Sequence, residues 1–157
     1  MERLSKYLVL YVLTVTSGCK VGWEQYKDHC YFIGLDQLTW YEASYLCRAH
    51  HSSLAIIETI DENTFLKNEV KPRFGSYWVG GTDDVVEGDW RWLSSDGDIP
   101  MNFTDWGLGQ PDNLHHTEDC LLLNQAYQWH WSDTSCLIRE HYICERGITT
   151  EELEVIG

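Results

Sequence analysis

Gly107-Leu108-Gly109-Gln110-Pro111-Asp112-Asn113, followed by Glu118-Asp119-Cys120 and Trp131-Ser132-Asp133, is the stretch on which the reading of this chain turns. It offers carboxylates at Asp112, Glu118 and Asp133, an amide carbonyl at Gln110 and a bend at Pro111, tied by Cys120 and Cys136. Such oxygen donors suit a hard cation, which accepts more ligands than one short loop supplies. Held at the surface, that cation leaves positions that hydroxyl groups from outside can fill.

The rest of the chain sets the frame. It has 157 residues, with 11 Lys and Arg against 25 Asp and Glu, for a net charge of −14. That balance argues against nucleic acid as a partner and favours cations, including calcium and mineral surfaces. Residues 1–17 read as a secretory signal: Arg3 and Lys6 make a basic start, Tyr7 to Val15 is apolar, and Ser17-Gly18 offers small residues for cleavage. The apolar run falls well short of the ~20 residues a spanning helix needs, so no membrane insertion is expected. The domain is expected over 18–146, with an acidic, mobile tail over 147–157. All six cysteines (Cys19, Cys30, Cys47, Cys120, Cys136 and Cys144) follow the signal. An even number in an exported chain implies disulfides, with every pairing left open by composition. Their long, uneven spacings, with no Cys-x-x-Cys pair, argue against zinc.

Local signals outline an α+β domain. Cys19 to Phe32 alternates turn residues with aromatics and is expected to be extended, with Trp23, Tyr26 and Tyr31 facing a core. Thr39 to His50 reads as a helix opened by a Thr39/Glu42 capping box, and Thr59/Glu62 repeats that signature before a helix over Asp61 to Val70. Tyr77 to Gly81 reads as a short buried strand. Thr82 to Gly109 lacks periodicity and is expected to be a long functional loop region, with Trp90, Trp92 and Trp106 as packing anchors. Leu121 to Asn124, Gln128 to Ser132 and His141 to Cys144 are expected to close the fold as strands. Asn102-Phe103-Thr104 is a glycosylation sequon, with Asn102 as acceptor. No nucleophile elbow, and no base with an orienting partner, is legible, so no enzyme is expected.

Taken in order, Gly18-Cys19, Cys30-Tyr31, Tyr77-Trp78-Val79-Gly80, Gly107 to Asn113, Glu118-Asp119-Cys120 and Trp131-Ser132-Asp133 resemble the C-type lectin-like domain over Cys19 to Glu145. Within that family the chain is most similar to secreted single-domain lectins of the perlucin type. The resemblance implies a fold of two helices, small antiparallel sheets and a long calcium-binding loop region. It also implies the disulfides Cys19–Cys30, Cys47–Cys144 and Cys120–Cys136.

Carried over residue by residue, the resemblance implies a calcium and carbohydrate site at Gln110, Asp112, Glu118, Ser132 and Asp133, with Pro111 in the cis form. Gln-Pro-Asp is associated in the family with galactose-type diols, and in invertebrates often with broad specificity. Two positions depart from the pattern. Ser132 stands where Asn is usual, which implies weaker calcium and sugar binding. No Trp occupies Asn113 to Thr117 to stack on a sugar, leaving His115, His116 or Trp129 as substitutes. An auxiliary calcium set is implied at Asp83, Glu87, Asn113 and Asp119, sharing Glu118. The expected partners are glycans, microbial or self, with a non-covalent homo-oligomer to supply avidity. Two other readings stand beside this one: an acidic matrix or biomineral protein with a weak or absent sugar site, and protein recognition through the loops without calcium.

Overall fold

The computed structural model describes residues 18–148; the expected signal, and the tail beyond Ile148, lie outside the described residues. Strands β1 (Glu24–Tyr26) and β2 (His29–Leu38) form a hairpin turned at Lys27, which adopts a positive φ. Helix α1 (Trp40–Ala49), strand β3 (Ser53–Leu54) and helix α2 (Ile60–Val70) follow. Next come β4 (Tyr77–Thr82), β5 (Arg91–Ser94), β6 (Gly97–Pro100), β7 (Cys120–Asn124), β8 (His130–Thr134) and β9 (Glu140–Gly147). These strands form one sheet along the path β1-β2-β9-β4-β5-β6, with β3 on β9 and the β7–β8 pair branching from β4. Pairing is antiparallel except between β4 and β9, which run parallel, so the sheet is mixed rather than purely antiparallel.

Both helices start where the sequence signals them, by different use of the same residues. In α1 the Thr39 side chain accepts from the Glu42 N–H while Glu42 returns an acceptor to the Thr39 N–H, a complete capping box. In α2 the Thr59 hydroxyl caps the Glu62 N–H, but Glu62 accepts instead from the Glu58 N–H and the Tyr31 hydroxyl. Glu62 thus fastens α2 to β2.

Successive strand residues point to opposite faces, and here both faces are covered. Tyr77, Val79, Leu121, Leu123, Trp131 and Ile143 pack with Leu66 and Val70 of α2. Trp78, Leu122, Tyr142 and Cys144 pack with Trp40, Ala43 and Cys47 of α1. This explains the unbroken run Leu121-Leu122-Leu123, buried throughout. Gly80 lets β4 approach the chain after β3: its N–H donates to the Ala55 carbonyl, and a Cβ there would meet the Leu54 carbonyl oxygen at 3.0 Å.

The segment expected to be irregular contains a hairpin, β5–β6, in register from Arg91↔Pro100 to Ser94↔Gly97. Trp92 is its buried anchor, while β6 has no buried residue and so shows no apolar alternation in sequence. Strand β8 begins at His130 rather than Gln128, because Gln128 and Trp129 turn in positive φ. Strand β9 is longer than expected, reaching Gly147, and the Ile148 N–H donates to the Asp28 carbonyl. Gly18 lies against the Ile148 side chain, so the two described ends adjoin.

Disulfides join Cys19–Cys30, Cys47–Cys144 and Cys120–Cys136. Cys47–Cys144 links α1 to β9 across 97 residues of sequence. Closing so long a loop contributes about 4.7 kcal/mol in the chain-entropy account. Replacing both residues by Ala is therefore expected to lower unfolding free energy by roughly that amount in denaturant titration. A change below about 1 kcal/mol would contradict the assignment.

Glu145 on β9 supplies a second test. Burial raises its carboxyl from the ordinary 4.5 to about 8, and Glu62 and Glu58 add to the effect, while the Ile56 N–H opposes it. The folded state therefore prefers the protonated acid. That contribution is complete below about pH 4.5, declines as pH rises and is lost through about pH 8. In chelator, the wild-type thermal midpoint is expected to fall over this window relative to Glu145→Gln. Parallel pH profiles for the two proteins would overturn the assignment.

Candidate functional site

The site is built around β8 and the loop that packs on it. Trp131 is fully buried, and Trp92, Phe103 and Trp106 meet its ring edge-on at centroid distances of 5.5, 5.5 and 5.8 Å. Its indole N–H donates to Asn63 Oδ1 of α2 at 3.0 Å. Its backbone then ties down the loop: the Trp131 N–H donates to the Asp105 carbonyl, and the Trp131 carbonyl accepts from the Gly107 N–H at 2.7 Å. The Asp105 carboxylate is gripped by Asn63, Lys67 and His130. These contacts fix the chain just before Gln110. Trp90, Trp92 and Trp106 all pack in or against the core.

Asp133 sits two residues beyond Trp131 and is buried. Its Oδ1 accepts from the Asp112 N–H at 3.0 Å and its Oδ2 from the Asn113 N–H at 2.6 Å. One strand carboxylate thereby holds the turn that follows the cis Gln110–Pro111 peptide. Glu118 Oε2 accepts from the Leu114 N–H at 3.0 Å, and the Glu118 N–H donates back to Asn113 Oδ1. The result is a three-carboxylate cluster in which Asp112, Glu118 and Asp133 each offer an oxygen within 4.8 Å of the others.

Crowding like charges is unfavourable unless a proton or a cation intervenes. Burial raises the Glu118 carboxyl above the usual range, the Leu114 N–H opposes this, and the charges of Asp133 and Asp112 add to it. Gln110 directs Nε2 to the Tyr127 hydroxyl at 3.2 Å, while its Oε1 is buried without a hydrogen-bond donor. Hard oxygen donors, mutual repulsion and an acceptor lacking a donor fit a divalent cation such as calcium.

The other expected residues fall differently. Ser132 is buried, with its hydroxyl accepting from Asn124 Nδ2 at 3.0 Å. Of the auxiliary set, Asp83 is buried, with Oδ2 accepting from the Gly88 N–H and Oδ1 lacking a partner. Its backbone N–H donates to the Asp119 carbonyl. Its carboxyl is raised to about 6 by burial first, against the Gly88 N–H, with Glu87 and Asp119 adding to the rise. Glu87 accepts from the Asn113 side-chain amide. Asp83, Glu87 and Asp119 are thus neighbours, without the tight convergence of the first cluster among the described residues.

His115 and His116 are exposed in positive φ, whereas the Trp129 indole N–H donates to the Gly75 carbonyl and its partly buried ring packs against the core. Asn102 is exposed. Tyr127 and Asn124, which hold Gln110 and Ser132, were not among the expected site residues, and no motif distinguishes them in the sequence.

The comparisons with known proteins agree with this architecture. Residues 36–146 match the lectin C-type domain model. Perlucin from Haliotis laevigata is 37% identical over 133 residues, covering 82% of this chain and 83% of perlucin. The mouse scavenger receptor C-type lectin carbohydrate-recognition domain superposes with a TM-score of 0.76 at 32% identity, covering 83% of this chain and 98% of that one. A Ca2+-dependent type II antifreeze protein in its Ca2+-free form gives 0.74 at 31% identity, covering 82% and 99%. With its helix-flanked mixed sheet, its disulfides and these matches, the chain belongs to the lectin C-type domain family.

Proposed function

We propose that the protein is a secreted, calcium-dependent lectin of galactose-type or broad specificity that recognises microbial or self glycans outside cells. The observation that carries this reading is the convergence of Asp112 and Glu118 from the loop with the buried Asp133 of β8, beside a Gln110 Oε1 that has no hydrogen-bond donor. Gln110, Asp112, Glu118 and Asp133 would hold the ion. Calcium, when bound, supplies coordination places for two vicinal hydroxyls. The carboxylates of this chain would then accept charge-assisted hydrogen bonds from those hydroxyls.

Further support comes from the relatives: one neighbour is described as a carbohydrate-recognition domain and another as Ca2+-dependent. Three disulfides, with no free cysteine among the described residues, suit an oxidising, extracellular setting and a non-covalent route to oligomers. The exposed Asn102 is available to carry a glycan in that setting. The auxiliary residues Asp83, Glu87, Asn113 and Asp119 would stiffen the loop if a second ion bound there.

A glycan array with calcium and with EDTA tests the reading. Terminal galactose or N-acetylgalactosamine signal is expected to drop at least about tenfold in EDTA, and equally in Asp112→Asn, whose side chain is exposed. Signal indifferent to chelator would refute calcium dependence. One alternative rests on the net charge of −14, which suits an acidic matrix or mineral-associated role. Altered calcium carbonate growth together with a silent array would favour it.

Ser132 provides a sharper test. Its hydroxyl is already engaged by Asn124, so it lends the site little. Calorimetry is expected to find calcium and galactose binding about threefold or more tighter in Ser132→Asn, because Asn adds both a carbonyl and an amide donor. Equal affinities would show that this position does not tune the site.

A further inference from the structure

Strands β7 and β8 are joined by a short 3-10 turn, Gln125–Tyr127, followed by Gln128 and Trp129 in the left-handed region. Neither of these two is glycine, so the backbone is strained there and persists only where its surroundings hold it. The hold is extensive. Asn124 Oδ1 accepts from the Ala126 N–H at 2.9 Å, and the Trp129 N–H donates to the Asn124 carbonyl at 2.8 Å. The Gln125 N–H donates to Ser76 Oγ, and its Oε1 accepts from the Gly75 N–H.

What this turn presents is Tyr127, which meets both ends of a second turn, Gly107 to Gln110. The Gln110 N–H donates to the Gly107 carbonyl at 3.0 Å and closes that second turn. The Tyr127 ring lies against Gly107, where a Cβ would come within 2.9 Å of the ring atoms Cγ and Cδ1. The Tyr127 hydroxyl accepts from Gln110 Nε2 at 3.2 Å, while Gln110 Oε1 has no donor. An amide differs from the carboxylates beside it. Both oxygens of Asp or Glu can face a cation, whereas only one end of Gln is an acceptor and the other donates. Asp133 and Glu118 are steadied by backbone N–H groups; the Gln110 side chain is steadied by Tyr127.

We propose that Tyr127 is a positioning residue for the cation site, its ring seating the Gly107 to Gln110 turn and its hydroxyl fixing which end of the Gln110 amide is offered to a divalent ion. With Nε2 engaged, Oε1 is the end left to coordinate, which is the end a hard cation accepts. A glutamine without this partner would have to be ordered, and turned the right way round, at the moment of binding. The inference rests on the calcium reading above and adds to it a residue that acts through Gln110.

Calorimetry with calcium chloride on the full chain tests it, with Tyr127→Phe, Gln110→Ala and the double variant forming a cycle. Phe keeps the ring on Gly107 and removes only the hydroxyl, so the thermal midpoint in EDTA is expected to stay in place. Tyr127→Phe is expected to weaken calcium binding about threefold or more, and to change nothing further once Gln110 is Ala. A merely structural role would carry the same loss into both backgrounds. In EDTA, the Gln110 side-chain amide protons of the isotope-labelled protein are expected to shift in Tyr127→Phe toward those of an unbonded glutamine, a readout that needs no calcium. Unmoved amide protons, unchanged calcium affinity in Tyr127→Phe, or an equal loss in the Gln110→Ala background would overturn the proposal and leave the calcium reading standing. A wild-type protein that takes up no calcium would remove that reading, and this inference with it.

Discussion

The architecture depends most on how Trp131 is held. A fully buried indole, ringed by three aromatic side chains and hydrogen-bonded to Asn63, cannot shift without disturbing α2, β5 and the loop together. Aromatic burial on this scale dominates local energetics, and a buried indole N–H without a partner is costly. The same residue spends both backbone polar groups on Asp105 and Gly107. A segment with little regular structure of its own is thereby tied to a rigid strand.

That arrangement explains how carboxylates that repel one another are kept together. Asp133 inherits its position from β8, and through two backbone N–H groups it imposes that position on Asp112 and Asn113. Glu118 is steadied by Leu114 and Asn113. The Asp133 and Glu118 carboxylates and the Asp112 backbone are thus held by hydrogen bonds, which lowers the ordering cost of binding. Burial raises the Glu118 carboxyl above its ordinary value, and the neighbouring charges of Asp133 and Asp112 add to that rise. A site of this kind is pre-organised by its scaffold rather than assembled by its ligand.

Much of this was legible in the residues themselves. Thr39 with Glu42 and Thr59 with Glu62 mark helix starts by a local mechanism, and local mechanisms survive folding. The acidic cluster was legible because its members belong to short motifs. The β5–β6 hairpin was not, since Ile99 alone of β6 is even partly buried, too little to leave a pattern. The start of β8 was misplaced by two residues because Gln128 and Trp129 adopt positive φ without glycine. Glu62 looked like a capping residue and proved to be a tertiary link to Tyr31, a role fixed only by what packs beside it. Tyr127 and Asn124 escaped notice for the same reason: their partners at Gln110 and Ser132 are brought to them by chain folding.

The meeting of Gly18 with Ile148, beside the β1–β2 turn, has an architectural consequence. The described stretch enters and leaves beside the β1–β2 turn, whereas the carboxylate loop packs on β7 and β8, which branch from β4. Sequence appended at either side would emerge from a common stalk point and need not cross the carboxylate loop. The unit is thereby suited to being threaded into larger polypeptides, or displayed in arrays, through a single point of attachment.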